Sequence, residues 1–132
     1  MLNANTAPYG ALVLRVSLGI MFIAHALLKY FVFTLPGTVG FFEKVGFPGP
    51  LAYAVFAAEL VGGVLLVLGV GTRWVAAALI PVLLGAAWVH AGNGWVFSAP
   101  NGGWEYPVFL AAAALALILL GDGAYALRTA RR

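Results

Sequence analysis

Four long apolar segments, separated by stretches rich in glycine and proline, dominate the pattern of hydrophobic and polar positions along this chain. A transmembrane α-helix needs about 20 mainly apolar residues in a row, and each segment is close to that length. We therefore predict an all-α protein, an integral membrane four-helix bundle that forms a single domain over residues 1–132. The predicted helices cover about residues 10–33, 51–70, 74–91 and 105–120, and a basic tail covers residues 121–132.

The composition supports membrane insertion. Hydrophobic residues make up 64% of the chain and charged residues 8%, with a mean hydropathy of +1.02, whereas about 25% of the residues in soluble domains are charged. The net charge is +3, but most cations lie close to the ends of the apolar segments, where Lys and Arg set membrane orientation. We therefore expect the lipid bilayer, and no nucleic acid, as a partner.

The chain contains no cysteine. A dithiol relay, a cysteine-ligated iron–sulfur cluster and a thiolate metal site within this chain are therefore excluded. We expect no metal site. An electron carrier that needs cysteine would have to come from another chain.

The connecting segments predict the topology. Residues 34–50 are rich in Pro and Gly, which indicates a loop, and the mixed residues 41–45 predict a short interfacial helix, either a lid or partner surface or a simple connector. Arg73 and the C-terminal arginines lie on one side of the predicted bundle, and Lys44 lies on the other side beside Glu43. This excess of positive charge predicts that both termini are in the cytoplasm.

The first apolar segment contains three basic residues, Arg15, His25 and Lys29. At about 100° per residue, His25 and Lys29 share one helix face, which we expect to face the interior of the bundle. Arg15 and Lys29 lie near opposite ends and can extend to the lipid headgroups, so Arg15 is either an interfacial anchor or a functional residue. The shorter His25 needs a partner inside the protein.

The second apolar segment carries Glu59 near the middle of the membrane. A buried carboxylate there is either protonated or faces a cation from the first helix. Gly62 and Gly63 lie on the same face and predict close helix packing. Two interpretations of Glu59 stay open: a functional residue, or half of an ion pair that only holds helices together.

Two more ionisable residues lie at the ends of the third and fourth helices. His90 and Glu105 share the predicted outer depth of Lys29, and His25 and then Glu59 lie progressively deeper. These residues predict a polar track from the outer surface towards the middle of the bundle, suited to proton movement or to a polar headgroup. The alternatives are a hydrogen-bonded interfacial His90 and a Glu105 that stabilises a helix start.

The chain resembles the DoxX family over nearly its whole length, except that Ala26 stands where the family pattern has glycine. The motifs that carry the resemblance are Leu14-Arg15 with Gly19, His25 and Lys29, then Ala58-Glu59-Leu60-Val61-Gly62-Gly63, Gly71-Thr72-Arg73, and Asn101-Gly102-Gly103-Trp104-Glu105-Tyr106-Pro107. The resemblance implies a small four-helix protein of a bacterial or archaeal cytoplasmic membrane, related to the membrane subunit of archaeal thiosulfate:quinone oxidoreductase.

Together, the buried polar residues and the resemblance lead to the hypothesis of a quinone-interacting subunit of a membrane oxidoreductase. Quinone is the expected cofactor, and a partner redox subunit or a homo-oligomer is the expected assembly. His25 and Glu59 are the candidate catalytic residues. The candidate quinone-binding residues are Lys29, His90, Trp104 and Glu105.

Three alternatives remain open. The bundle could be a non-catalytic anchor or assembly subunit whose charged residues only lock helices together. It could hold haem b between His25 and His90, which lie at nearly equal depth, although no further haem-site feature is visible. It could also be a proton or small-molecule transporter, for which four short helices would need to oligomerise to form a path.

Overall fold

The computed structural model describes residues 5–91 and 105–126, without the side chain of His90. Within those ranges the regular elements are all helical, as predicted. They are α1 (Ala7–Leu27), the π-helical segment π1 (Leu28–Val32), α2 (Leu35–Lys44), α3 (Leu51–Leu68), α4 (Thr72–His90) and α5 (Glu105–Leu120).

The helix ends differ from the predicted bounds by a few residues. The first helix begins at Ala7, three residues early, with a proline in its first turn, where a missing N–H costs nothing. The second helix ends at Leu68 and not at residue 70, because Gly69 adopts a left-handed conformation with φ of 79° and its N–H bonds back to the carbonyl of Leu65. The third begins at Thr72, directly after a left-handed Gly71.

The end of the first membrane-length helix is wound more loosely than predicted. In π1 the backbone follows i→i+5 spacing, and the N–H of Phe33 bonds to the carbonyl of Leu28 at 3.0 Å. The chain then turns at Thr34, whose φ of 65° is rare for a β-branched residue. The Thr34 hydroxyl accepts a hydrogen bond from the N–H of Gly37, and so caps the short helix α2 that the sequence predicted within residues 34–50.

The long helices pack in a ring. The most extensive contacts join α1 to α3 and α4 to α5, and contacts of α3 with α4 and of α1 with α5 complete the arrangement. All four of these helices contribute leucines to the centre, and small alanines from α4 and α5 lie between the larger side chains. The core cluster is Leu18, Phe22, Leu66, Ala76, Leu79, Leu83, Leu110, Ala114 and Leu117.

Glycines set the closest approach between α1 and α3. A Cβ atom built on Gly63 would lie 2.8 Å from the carbonyl oxygen of Gly19 and 2.7 Å from a side-chain carbon of Ile23. The neighbouring Gly62 instead faces Leu79 of α4. Both glycines proposed from the sequence as packing residues therefore lie at helix contacts, on two different neighbours.

Arg15 does not extend to the headgroups, as one of its two interpretations required. Its side chain is 1% exposed, and the guanidinium donates to the carbonyl oxygens of Leu66, Val67, Asp122 and Ala124 at 2.8 to 3.0 Å. The reason is that the segment after α5 folds back over Arg15, and the end of α3 offers carbonyls that have no partner within their helix.

Three of the described helices are long and apolar enough to cross a membrane: Ala7–Val32, Leu51–Leu68 and Thr72–Val89. The last helix, Glu105–Leu120, is apolar but shorter. The fold is therefore that of a helical membrane protein.

Candidate functional site

A largely buried ion pair joins π1, which continues α1, to α3. The Nζ atom of Lys29 lies 2.7 Å from Oε1 of Glu59, and the two side chains are 17% and 7% exposed. Of the two states considered for Glu59, the structure therefore shows the one in which it faces a cation from the first helix. Removal of one partner of a buried ion pair leaves the other charge without a partner in an apolar environment, which lowers the free energy of unfolding by about 3–5 kcal/mol.

The antiparallel packing of α1 and α3 explains why these two side chains meet. Gly19 contacts Gly63, so Lys29 lies further along α1 from this crossing than Glu59 does along α3. Side chains on a helix lean towards its N-terminus. Lys29 therefore leans back towards the crossing while Glu59 leans away from it, and the long lysine covers the remaining separation.

His25 lies on the last turn of α1, one turn before Lys29 of π1. Its Nδ1 atom is 2.7 Å from the carbonyl oxygen of Met21. A carbonyl only accepts hydrogen bonds, so Nδ1 must carry the proton, and in the neutral ring Nε2 has a lone pair. Among the described residues this carbonyl is the hydrogen-bond partner of His25, which leaves Nε2 to accept a proton or, in the imidazolium, to donate one.

Tyr106, in the first turn of α5, completes the group around His25. The two rings are nearly parallel, with centroids 6.0 Å apart and planes at 25°. The Tyr106 hydroxyl donates to the sulfur of Met21 at 3.2 Å. Met21, His25 and Tyr106 form what we call the His25 site, held together by the backbone and side chain of one residue, Met21.

The sequence analysis did not select Tyr106 as a site residue. The available signal was a hydroxyl-bearing ring directly after Glu105, at the start of an apolar helix. A tyrosine at a membrane interface is common as an anchor, and its contact with His25 depends on the packing of α1 against α5. That packing is a tertiary feature without a local sequence signal.

The contacts differ from the expected order of the polar track. Lys29 reaches Glu59 directly, and His25 bonds to Met21 instead of lying between them. Glu105 is the first residue of α5, directly before Tyr106, and it is the acidic residue of the first turn of this helix. Trp104 and the side chain of His90 lie outside the described residues, so their proposed roles, and the haem hypothesis that needs His90, stay predictions.

Over the described part of the chain, no group of three or more His, Cys, Asp or Glu side chains is placed to hold a metal ion. The site instead offers hydrogen-bonding groups and one ion pair. The imidazole can give or take a proton, the phenol donates a hydrogen bond, and the lysine and glutamate supply balanced charge. This set suits a ligand with oxygen atoms on an otherwise apolar body.

Membrane-length helices joined by an internal ion pair define a helical membrane protein, and comparison with known proteins makes that class more specific. A family model, DoxX, matches residues 10–92, more than half of the chain. The chain belongs to the DoxX family. The match includes His25, Lys29 and Glu59 but ends before the Asn101–Pro107 motif.

One curated relative matches clearly. The Bacillus subtilis (strain 168) protein named "Putative oxidoreductase CatD" is 43% identical over 77 residues, which cover 58% of this chain and 56% of the relative. The chain thus spans little more than half the length of that relative. No solved structure matches the chain.

Proposed function

We propose that this DoxX protein is a quinone-interacting subunit of a membrane oxidoreductase. The observation that carries the proposal is the His25 site, in which the hydrogen bond to the Met21 carbonyl occupies Nδ1 and leaves Nε2 as the nitrogen that a ligand would use. The name of the Bacillus subtilis relative supports oxidoreductase chemistry. A quinone headgroup has the oxygen atoms that the site can bind and a tail suited to lipid.

The chemistry assigned to the chain is proton exchange. Reduction of a quinone to a quinol takes two electrons and two protons. The electrons come from a donor outside this cysteine-free chain, such as a partner redox subunit. The His25 imidazolium gives one proton through Nε2 to a reduced quinone oxygen and becomes neutral, and the reverse transfer accompanies quinol oxidation.

Glu59 is proposed as the second proton-exchanging residue, with Lys29 controlling its charge. The Lys29 ammonium lies 2.7 Å from Oε1 of Glu59 and balances its charge. Movement of Lys29 towards a ligand would leave the Glu59 oxygens available to exchange a proton with that ligand. His90, Trp104 and Glu105 are proposed as further binding residues at the outer end of the site.

We also propose the membrane arrangement. Four spans in a bacterial cytoplasmic membrane, with both termini inside, agree with the positive charge of Arg73 and of the C-terminal tail. The last span would be α5, whose 16 residues are close to the lower limit of about 17 for a spanning helix. A partner redox subunit would supply the electrons, and a homo-oligomer is the alternative assembly.

Binding of a short-chain benzoquinone to the purified full-length protein tests the function. We expect saturable binding that weakens about 10-fold in His25→Ala, because the loss of a ligand hydrogen bond that carries charge costs about 1.5 kcal/mol or more. Glu59→Gln should slow quinone-dependent turnover, while the matched control Glu43→Gln, at an exposed position of α2, should leave it unchanged. Absence of saturable binding, or normal turnover in both site variants, contradicts the proposal.

The runner-up function is an anchor or assembly subunit. It is favoured by the fact that Lys29 and Glu59 already satisfy each other between two helices. In that case Lys29→Met and Glu59→Gln would each lower stability by about 3–5 kcal/mol, and the double variant would lose less than the sum. The surviving complex would turn over normally. The quinone proposal instead requires a loss of turnover in variants that remain folded.

A further inference from the structure

The Tyr106 hydroxyl donates its hydrogen bond to a weak acceptor that a ligand can replace. It donates to the thioether sulfur of Met21 at 3.2 Å, and a thioether is a weak acceptor. A carbonyl or hydroxyl oxygen is a stronger acceptor, so a ligand that brings one to this position would displace the sulfur at small cost. The half-buried ring of Tyr106 reduces competition from bulk water for this hydrogen bond.

One residue positions both polar groups of the His25 site. The backbone carbonyl of Met21 holds the imidazole of His25, and the side-chain sulfur of Met21 holds the phenol of Tyr106. The imidazole and the phenol therefore belong to one connected unit, built from α1 and α5. A ligand that hydrogen-bonds to Nε2 of His25 comes within reach of the Tyr106 ring.

The spacing of the two rings restricts how a flat ligand can bind. Their centroids are 6.0 Å apart, whereas a planar ring inserted between them would need about 7 Å, two carbon contacts of about 3.5 Å each. A flat ligand therefore meets the edges of the two rings and does not slide between them. Edge-on contact favours hydrogen bonds from substituents of the ligand ring.

We propose that Tyr106 is a ligand-binding residue whose hydroxyl leaves the Met21 sulfur and donates a hydrogen bond to an oxygen on a planar ring ligand held by His25. The inference rests on the proposed quinone function and adds to it a second residue, besides His25, that binds an oxygen of the ligand ring. Tyr106 keeps its proton throughout, so it sets affinity and orientation while His25 exchanges the proton.

The test compares ligand affinity in three variants of the full-length protein, with a short-chain benzoquinone as the probe. Tyr106→Phe keeps the ring against His25 and removes the hydroxyl, so we expect about 2- to 12-fold weaker binding, the range for one hydrogen bond. Met21→Leu removes the competing sulfur and keeps the backbone carbonyl, so binding should equal or exceed that of the wild type. Tyr53→Phe, at a half-exposed tyrosine on α3, is the matched control and should change nothing.

The different effects expected for Tyr106→Phe and Met21→Leu distinguish a role of Tyr106 in ligand binding from a role in helix packing alone. If Tyr106 only stabilises the helix contact, Tyr106→Phe binds the probe as the wild type does, or Met21→Leu weakens binding as much as Tyr106→Phe. Either result overturns the role of Tyr106, while a loss of binding in His25→Ala would still support the proposed function. Absence of probe binding by the wild-type protein overturns both proposals.

Discussion

At the scale of single residues, the buried cations have different kinds of partner. Lys29 has a carboxylate, Glu59, whereas the Arg15 guanidinium is surrounded by backbone carbonyls from α3 and from the segment after α5. The planar guanidinium with five donors suits this arrangement, and a lysine ammonium would not reproduce it. Arg15 therefore acts as a structural link between parts of the chain far apart in sequence.

Replacement of Arg15 should destabilise the protein severely. Arg15→Lys loses several charge-assisted hydrogen bonds and leaves carbonyls of Leu66 and Asp122 without their donor, so we expect a loss of about 3–5 kcal/mol in unfolding free energy. The measurement is unfolding of the purified protein in detergent. The control is Arg73→Lys, at an exposed position, which should cost less than about 0.5 kcal/mol. Equal effects of the two substitutions would contradict the assignment of Arg15.

Whether the partner of a buried residue could be predicted from the sequence depends on the kind of group that the partner is. Glu59 was expected either to be protonated or to face a cation from the first helix, because an unpaired carboxylate inside a membrane is costly. The carbonyl partners of Arg15 carry no sequence signal, since every residue has a carbonyl and only the fold decides which ones lack a partner. Tyr106 was missed for a related reason: its ring meets His25 only through packing of α5 on α1.

At the scale of helices, hydrophobic length predicted four segments to within a few residues, because a long apolar run in lipid must satisfy its backbone as a helix. The π-helical segment Leu28–Val32 was not predicted, since its composition is equally compatible with α-helix. Close helix packing was predicted at Gly62 and Gly63, but the sequence did not show that Gly63 faces α1 and that Gly62 faces α4.

A methyl group at the α1–α3 contact should separate the two helices. Gly63→Ala places a carbon 2.8 Å from the Gly19 carbonyl oxygen, and overpacking of this kind costs about 1–3 kcal/mol. The matched control is Gly85→Ala in α4, where a Cβ atom meets nothing within 4 Å. There we expect no loss, or a gain of up to about 1 kcal/mol from helix propensity. A neutral Gly63→Ala in the same unfolding measurement would argue against this close approach.

At the scale of the whole molecule, His25 lies on the last turn of α1 and contacts Tyr106 of α5, while Lys29 lies one turn later, in π1, and pairs with Glu59 of α3. The Arg15 contacts lie more than two turns away towards the start of α1. The bundle thus separates a region of proposed chemistry from a region that ties the chain ends together.

Membrane orientation can be tested directly because the chain has no cysteine of its own. Single cysteines at Asn93 and Ala130, on opposite sides in the proposed topology, provide reporters in intact cells. A membrane-impermeant maleimide should label the Asn93→Cys protein from outside, and the Ala130→Cys protein only after lysis. The reverse pattern, or equal labelling of both from outside, would contradict the arrangement with both termini in the cytoplasm.

The central claim is that His25 presents Nε2 to a quinone headgroup. The chain has only two histidines, so ¹⁵N-histidine NMR of the protein in detergent resolves them, and His25→Ala assigns the signals. We predict that neutral His25 carries its proton on Nδ1, as its bond to the Met21 carbonyl requires, and that a short-chain benzoquinone shifts its Nε2 resonance in a saturable manner. A His25 protonated on Nε2 alone, or an Nε2 signal that does not respond to saturating quinone, would contradict the account.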